Sequence, residues 1–421
     1  MNRKNFIQVF EYEKLRIDEK NFTETHLNSL VKFNEKNGNK YFTTIYKGVQ
    51  FKSYVGVIQI GGLTIEILPK ADNLTIPNKK LWQNILLNML RVCKHVNIDS
   101  VSETGLKKKN NSILELYFEI FLNEIENLIR RGIIKRYKRV EKNEFSLKGK
   151  MILSKNIAKN LTHKERFYCE HQIFNTDHKL HQILLHALKI VESARAPDNV
   201  LKDKVKKILL EFDNITPTNL STKDFQNIHF DRKSAPYKKS VDIAKMLILN
   251  YSPSLNSGNE QMLTLLFDMN KLWEDYIFRV LRKHIDQETY HITAQSRNLF
   301  WKDKTIRPDI VVTNHLDKET FIIDTKWKIV DNSNPSDDDL KQMFTYNLHW
   351  KSRKSILLYP KINQNDSTFG NYTHNPIHKI EGDYSEYDNQ CKVGFISLID
   401  EYGLRSSKEL SSEIMMKFLQ N

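Results

Sequence analysis

The stretch IRPDIVVTNHLDKETFIIDTKW, residues 306–327, decides the fold of the C-terminal part of the chain. It predicts two short apolar strands joined by a polar turn, yet charged residues interrupt both strands. Asp324 and Lys326 are two residues apart and therefore share one face of an extended strand. Burying a carboxylate and an ammonium group on a sheet is unfavourable unless they pair or bind a metal. The pattern indicates either a salt bridge on a half-exposed sheet or a catalytic centre.

The second interpretation rests on the spacing of the acids, a P-D dipeptide followed about fifteen residues later by D-x-K. Hydrolysis of a phosphodiester needs a nucleophilic water and stabilisation of the charge that builds on the phosphate, and bound Mg²⁺ supplies both. Mg²⁺ takes oxygen ligands and keeps several waters, so two or three carboxylates suffice. The candidate ligands are Asp309 and Asp324, with Glu274 from the preceding helix as a third. Lys326 is the candidate group that orients the water or stabilises the phosphate.

The segments on both sides of this stretch predict the rest of a small α/β core. Ser336 followed by Asp339 is typical of a helix N-terminus. Gln342 and Tyr346, four residues apart, share one face of that helix. The segment KSILLYPK, 354–361, predicts a further strand. Before the stretch, a stripe of helical period predicts a helix that carries Glu274, and its members are Leu265, Met269, Leu272, Tyr276 and Val280.

The N-terminal half combines strand and helix patterns. The segment YVGVIQIGGLTIEILPK, 54–70, predicts a hairpin with one buried face around Gly61-Gly62. Apolar periodicity predicts helices over 81–90 and 113–133. The basic stretch 135–160 is either a solvated face or a phosphate-contacting surface. We therefore expect a β-rich module over 1–100, a largely helical region over 101–250, and a nuclease domain over 251–421 that follows a junction at 251–260.

Composition narrows the function classes. The net charge of +14 favours polyanionic partners, with nucleic acid first among them. Three distant cysteines without a CxxC pair argue against a zinc site and a disulfide framework. No segment has the apolar length of a signal peptide core or a membrane span, so we expect a cytoplasmic protein without membrane contact. No phosphate-binding loop GxxxxGK[ST] is present, so a partner must bind any nucleotide.

The motifs together resemble two known groups of proteins. The acids and lysine at 309–326 are similar to the PD-(D/E)xK nuclease superfamily, and Gln342 with Tyr346 looks like the QxxxY feature of its RecB-like members. The chain as a whole is similar to the McrC family, the nuclease component of McrBC restriction systems. The blocks that carry this similarity are YVGVIQIGGLTIEILPK, FSLKGKMILSKNIAKN, RFYCEHQIFNTDHKLHQILLHAL, FDMNKLWEDYIFRVL, RPDIVV and SILLYPK.

The resemblance implies a multidomain α+β protein whose C-terminal restriction-endonuclease-like core is a mixed sheet flanked by helices. It also implies a division of labour. A hexameric McrB-like AAA+ GTPase would bind GTP and recognise methylated cytosine, while residues 1–250 of this chain would dock into its ring and stimulate GTP hydrolysis. The C-terminal part would cut double-stranded DNA with Mg²⁺, or Mn²⁺ as substitute, and a double-strand cut suggests a second copy.

The resemblance carries six positions over as catalytic, namely Asp309, Asp324, Lys326, Glu274, Gln342 and Tyr346. For GTPase stimulation the basic loop GLKKKN, 105–110, is a candidate by charge alone. Two other hypotheses remain: a non-catalytic adaptor that only activates an AAA+ ring, and a stand-alone RecB-like repair nuclease. The sequence does not indicate which modified base triggers cleavage.

Overall fold

The computed structural model describes most of the chain. The described residues are 5–19, 21–71, 78–93, 112–194, 199–218, 220, 222–226, 228–252, 262–328, 334–361, 365–372, 389–400 and 403–419. The candidate loop 105–110 lies outside these residues, as does most of the predicted junction at 251–260. No helix of the described ranges is both long enough and apolar enough to span a membrane. The three cysteines are buried free thiols.

The first part of the chain is β-rich, as predicted. Its elements are β1 (Phe6–Phe10), β2 (Lys14–Arg16), α1 (Glu24–Lys36), β3 (Phe42–Ile45), β4 (Gly48–Phe51), β5 (Tyr54–Ile60), β6 (Leu63–Leu68) and α2 (Lys79–Val92). The predicted hairpin is confirmed, because β5 and β6 are neighbours in a five-stranded sheet. Gly61 and Gly62, with φ of 53° and 100°, make the turn between them in the left-handed region that favours glycine.

The prediction that this hairpin buries only one face is wrong for β6. All six residues of β6 are buried, including the carboxylate of Glu66. Two amide groups compensate that carboxylate: Gln8 Nε2 donates to Glu66 Oε2 at 2.7 Å, and Gln83 Nε2 donates to it at 2.8 Å. A buried carboxylate is tolerated because these long-range hydrogen bonds replace its hydration, and the period-two pattern could not reveal them.

The middle of the chain is mostly helical. Its elements are α3 (Ile113–Arg130), β7 (Arg136–Glu144), β8 (Lys150–Met151), α4 (Leu153–Asn160), β9 (Phe167–Asn175), α5 (Lys179–Ser193), α6 (Asn199–Leu210), α7 (Lys238–Leu249) and β10 (Tyr251–Ser252). Ser112 and Glu115 form a capping box at the start of α3, and this fixes the predicted helix boundary. The basic stretch 135–160 forms β7, β8 and α4, and β9 lies between β7 and β8 in a three-stranded sheet.

The C-terminal part contains the predicted core. Its elements are β11 (Met262–Asp268), α8 (Met269–His284), β12 (Tyr290–Ala294), β13 (Asn298–Trp301), β14 (Lys304–Ile306), β15 (Ile310–Asn314), β16 (Thr320–Thr325), α9 (Asp337–Trp350), β17 (Lys354–Pro360), β18 (Gly370–Asn371), β19 (Gln390–Ile396), β20 (Ile399–Asp400), β21 (Gly403–Leu404) and α10 (Ser407–Leu419). The mixed α+β class is therefore confirmed. Leu265 lies in β11 rather than in the predicted helix, because Asp268 caps α8 through the backbone N–H groups of Asn270 and Lys271.

A six-stranded mixed sheet is the centre of this part. Its order is β12-β15-β16-β17-β19-β18. β15 pairs antiparallel with β12 and β16, whereas β17 runs parallel to β16 and β19. An apolar cluster that includes Ile322, Met343 and Leu357 packs α9 against the sheet. The order helix, strand hairpin, helix, strand is the order predicted from the sequence.

The described residues divide into two compact units. One falls within Met1–Phe6, Val57–Thr64 and Ile98–Leu265, and the other within Ile7–Gly56, Ile65–Asn97 and Leu266–Asn421. The second unit joins N-terminal segments to the six-stranded sheet. The predicted domain boundaries near residues 100 and 250 stay a prediction.

Candidate active site

The register of the β15–β16 hairpin brings the two aspartates together. Ile310 pairs with Ile323 in antiparallel register, so extending the ladder by one residue places Asp309 opposite Asp324. Directly opposed side chains have Cβ atoms about 5 Å apart. Two side-chain hydrogen bonds hold Asp309 in place, because Thr325 donates to its Oδ2 from the backbone N at 2.8 Å and from Oγ1 at 2.9 Å.

Lys326 is held over Asp324 where β16 ends. Its backbone N donates to the carbonyl oxygen of Leu358 at 3.0 Å, which extends the parallel ladder by one residue. Its Nζ lies 2.7 Å from Oδ2 of Asp324 and 3.4 Å from Oδ1 of Asp339, and donates to Oε1 of Gln342 at 3.2 Å. Two carboxylates and one amide oxygen therefore surround this ammonium group, whose side chain is 23% exposed.

The first turn of α9 supplies an acid that we did not predict as a site residue. Ser336 caps the helix by accepting from the backbone N of Asp339, as the sequence predicted. The carboxylate of Asp339 contacts the ammonium groups of Lys326 and Lys328, at 3.4 Å and 2.7 Å. Its position three residues after the cap was visible in the sequence, but its contact with the end of β16 is a tertiary feature.

Gln342 and Tyr346 form a hydrogen-bonded chain along α9. Gln342 accepts from Lys326, and its Nε2 donates to the hydroxyl of Tyr346 at 2.6 Å. That hydroxyl donates to the carbonyl oxygen of Arg307 at 3.0 Å, two residues before Asp309. The two residues therefore connect the lysine on one strand to the segment that carries the first aspartate.

Glu274 lies beside the aspartates but is engaged by another side chain. Gln295 Nε2 donates to Glu274 Oε1 at 2.6 Å, and Gln295 N donates to the carbonyl oxygen of Asp309 at 2.9 Å. Gln295 has φ of 51°, a left-handed conformation that is uncommon for a residue other than glycine. Arg307 donates to Oε1 of the same glutamine at 3.3 Å. Gln295 and Arg307 are thus site neighbours that the sequence patterns did not single out.

The three carboxyl groups all have raised pKa values. Burial is the largest cause for Asp324, the charge of Asp309 is the next, and together they raise its pKa to about 7. Burial also raises the pKa of Asp309 and of Glu274, and the charge of Asp309 adds to the effect on Glu274. Carboxylates whose ionisation is disfavoured by burial and by one another form a site that a cation stabilises.

Lys326 keeps its proton in this arrangement. Burial lowers the pKa of the ammonium group, but the carboxylates of Asp324 and Asp339 outweigh burial and the pKa is raised. A lysine in this state donates hydrogen bonds and positive charge and is a poor base near neutral pH. The site therefore combines one buried and one half-buried aspartate with a fixed cation.

The donor set fits Mg²⁺ with two protein ligands. Within the described ranges no three His, Cys, Asp or Glu side chains form a group that could hold a metal ion. Two carboxylates are nevertheless sufficient for Mg²⁺, which usually takes its other ligands from water and phosphate oxygens. Within the described part of the chain, Asp324 Oδ2 accepts no hydrogen bond, and its near neighbour is the Lys326 ammonium at 2.7 Å. Asp309 and Asp324 therefore fit the ion, and the role of Glu274 as a third ligand stays a prediction.

Comparison with known proteins agrees with this architecture. Residues 49–360 match the family model of the McrBC 5-methylcytosine restriction system component. The chain belongs to this McrBC component family. The matched range includes all six predicted catalytic residues, namely Glu274, Asp309, Asp324, Lys326, Gln342 and Tyr346. A comparison with curated protein sequences produced no match.

Two solved structures share the fold of this McrBC component. One is a refined half-complex from a tetradecameric assembly of Thermococcus gammatolerans McrB AAA+ hexamers with bound McrC. The similarity has a TM-score of 0.72 and 19% identity, and covers 98% of this chain and 100% of that chain. The other is the cryo-EM structure of the Thermococcus gammatolerans McrBC complex, with a TM-score of 0.51, 22% identity, and coverage of 66% of this chain and 87% of that chain.

A buried glutamate from the N-terminal part of this McrBC component supports the end of β16. Trp327, which follows Lys326, donates from Nε1 to Oε1 of Glu11 at 2.6 Å, and Lys70 N donates to the same oxygen at 2.9 Å. The Trp327 ring packs edge-on against Trp273, the neighbour of Glu274, with centroids 5.3 Å apart. Glu11 therefore contacts the residue next to Lys326, and only the tertiary structure reveals this contact.

The first prediction concerns Glu11→Gln. Burial is the main reason that the pKa of Glu11 is raised from 4.5 to about 7, so ionisation of this group opposes folding. The stability that the protonated form of Glu11 provides is fully present below about pH 4.5 and is lost as the pH rises through about 7. We expect Glu11→Gln to remove this loss, by up to about 3 kcal/mol at pH 8. Tryptophan fluorescence during thermal unfolding at pH 5 and pH 8 measures the effect, because all five tryptophans lie in the same compact unit as Glu11.

The matched control for that measurement is Glu288→Gln, since Glu288 is an exposed glutamate of the same unit. It should leave the pH dependence of the unfolding midpoint unchanged. An identical pH dependence of the unfolding midpoint in wild type and Glu11→Gln would show that ionisation of Glu11 does not destabilise the folded chain.

Proposed function

We propose that this chain is the endonuclease subunit of a modification-dependent restriction complex. It cleaves DNA phosphodiesters with Mg²⁺ when an McrB-like AAA+ GTPase activates it, and it stimulates GTP hydrolysis by that partner. The observation that carries the proposal is the juxtaposition of Asp309, Asp324 and the Lys326 ammonium where the β15–β16 hairpin meets α9.

The residues of the site have distinct roles in this proposal. Asp309 and Asp324 hold Mg²⁺, which supplies an activated water and neutralises charge on the scissile phosphate. Thr325 fixes the first carboxylate through two hydrogen bonds, so its orientation does not depend on the bound ion. The second carboxylate, that of Asp324, is buried near the end of an inner strand and pairs with the Lys326 ammonium.

Lys326 stabilises the negative charge that develops on the phosphate. It remains protonated because of the neighbouring carboxylates, and Gln342 and Asp339 fix its position. A fixed charge needs no reorganisation when the phosphate becomes pentavalent, and this lowers the barrier. Tyr346 acts indirectly, since it orients Gln342 and the backbone that leads to Asp309.

An exposed apolar face in the other compact unit is suited to contact with the AAA+ partner. α4 presents Leu153 and Ile157, and Leu161 follows one turn later, with exposed fractions of 62%, 60% and 72%. Phe145 and Leu147, before β8, are 73% and 59% exposed. Large exposed apolar side chains on one face of a helix are typical of protein contact surfaces. The fold neighbour from Thermococcus gammatolerans is described as bound to McrB hexamers, which supports such a contact here.

The second prediction tests this face with Ile157→Asp combined with Leu161→Asp. Both side chains are exposed, so we expect a folded protein whose affinity for the AAA+ partner falls at least about tenfold, since each buried side chain of this size contributes about 1.5–3 kcal/mol. Pull-down titration and the GTP hydrolysis rate of the partner measure the effect. Leu316→Asp, at an 82% exposed leucine of the other unit, is the control. Unchanged binding and GTPase stimulation in the double variant would contradict the assignment.

One experiment separates the proposed function from its alternatives. Plasmid linearisation is measured in Mg²⁺ with the chain alone, with an McrB-like AAA+ protein, and with that protein and GTP. Cutting only in the last mixture supports the proposal. Cutting by the chain alone supports a stand-alone repair nuclease, and GTPase stimulation without any cutting supports an adaptor.

A further inference from the structure

A short hairpin beside the candidate site exposes an unusual run of apolar side chains. β13 and β14 pair antiparallel over residues 298–306, with a register shift between Leu299 and Trp301. Leu299, Phe300 and Trp301 are 70%, 53% and 59% exposed. Three consecutive large side chains in water are unfavourable for an isolated domain, which indicates a contact surface.

The base of this hairpin is fixed to the candidate site. Gln295 precedes it and Arg307 follows it, and these residues hydrogen-bond each other as well as Glu274 and Tyr346. Ile306 packs against the core cluster under α9. The base of the hairpin is therefore joined to the residues that surround the acidic pair.

The chemistry of the hairpin fits a nucleic acid. Arg297, Lys302 and Lys304 are exposed, and Asp303 is the one acidic residue of 297–307. Lys302 Nζ lies 4.7 Å from the centre of the Trp301 ring, so a cation flanks the exposed aromatic face. Aromatic rings that stack on bases and cations that contact phosphates are the combination that proteins use on DNA strands.

We propose that the hairpin 297–307 is a DNA-contacting element that holds the substrate during cleavage. Leu299 and Trp301 pack against bases, and the three cations contact the flanking phosphates. Lys302 and Asp309 are seven positions apart in the sequence. The contact therefore lies within about 25 Å of the acidic pair, or about seven base pairs. The proposal rests on the proposed nuclease function, but it concerns binding and is measurable without cleavage.

The experiment measures the affinity of the full chain, alone and with its AAA+ partner, for a fluorescent 40-base-pair duplex in EDTA over a series of salt concentrations. Trp301→Ala should weaken binding about tenfold with an unchanged salt slope, because the ring contacts bases and neutralises no phosphate. Lys302→Ala with Lys304→Ala should instead reduce the slope of log K against log salt by about 2. Leu316→Ala, at a leucine of the same unit whose side chain is 82% exposed, should bind as the wild type does.

Each other outcome overturns the inference in a recognisable way. If both hairpin variants keep the wild-type DNA affinity, salt slope and cleavage activity, the hairpin does not contact DNA. The proposed nuclease function would then be unaffected. Lower affinity for the AAA+ partner with unchanged DNA affinity identifies the hairpin as a protein contact. No DNA binding by wild type, alone or with the partner, overturns both the hairpin contact and the proposed function.

Discussion

Replacing Asp324 with asparagine is expected to abolish DNA cleavage and to raise the stability of the folded chain. The cleavage rate should fall by roughly 1,000-fold or more, because a metal ion contributes several kcal/mol to stabilising the transition state. Stability should rise because the side chain is 2% exposed, and burial with the charge of Asp309 raises its pKa to about 7. Stability from the neutral acid is present below its unfolded pKa of 3.8 and is lost as the pH rises through about 7.

The neutral amide avoids that loss at pH 8. We expect a net gain of the order of 1 kcal/mol, less than the pKa shift alone would give, because the change also removes the ion pair with Lys326. This gain is roughly 2–4 °C in the unfolding midpoint. Tryptophan fluorescence during heating in EDTA measures it, and Asp338→Asn, at a 97% exposed side chain, is the control. Loss of activity together with loss of stability would show that Asp324 has a structural role rather than the proposed one.

The second large effect is expected from Lys326→Ala. This change removes the fixed ammonium group and leaves Asp324 without the cation 2.7 Å away. The cleavage rate should fall by about 100- to 1,000-fold, the range for the loss of one preorganised electrostatic contact in an active site. Binding to the AAA+ partner and stimulation of its GTP hydrolysis should remain within about twofold of wild type, since the change does not touch the exposed face of α4.

Lys328→Ala is the matched control for Lys326→Ala. Lys328 also contacts Asp339, at 2.7 Å, but its side chain is 46% exposed and it has no ion pair with Asp324 within the described residues. Single-turnover cleavage by the two variants with the same partner compares the two positions. Equal losses of cleavage rate in both variants would mean that any positive charge near Asp339 is sufficient. An unchanged rate in both would show that Lys326 is not catalytic.

Much of the site could be predicted because its signals are local in sequence. Two apolar runs joined by a polar turn predict the β15–β16 hairpin. Asp309 and Asp324 lie at the open end of that hairpin, so its antiparallel pairing brings them together. The cap at Ser336 and the four-residue spacing of Gln342 and Tyr346 set their helix face in the same way.

The parts that could not be predicted depend on contacts between distant segments. Glu11 reaches Trp327 across more than 300 positions, and Gln295 joins Glu274 to Asp309 through a left-handed backbone conformation. Neither contact leaves a periodic pattern in the sequence from which it could be predicted. Leu265 was misassigned because apolar residues of a buried strand continue into the stripe of the following helix without a change that periodicity detects.

The central claim is that Asp309 and Asp324 form the metal-dependent centre that cuts DNA. The most direct test measures linearisation of methylated and unmethylated plasmid with the AAA+ partner, GTP and Mg²⁺, using wild type and the double variant Asp309→Asn with Asp324→Asn. We predict that wild type cuts the methylated plasmid only when Mg²⁺ is present, and that the double variant cuts neither plasmid while it still stimulates GTP hydrolysis. Undiminished cutting by the double variant would contradict the claim and place the nuclease centre elsewhere in the complex.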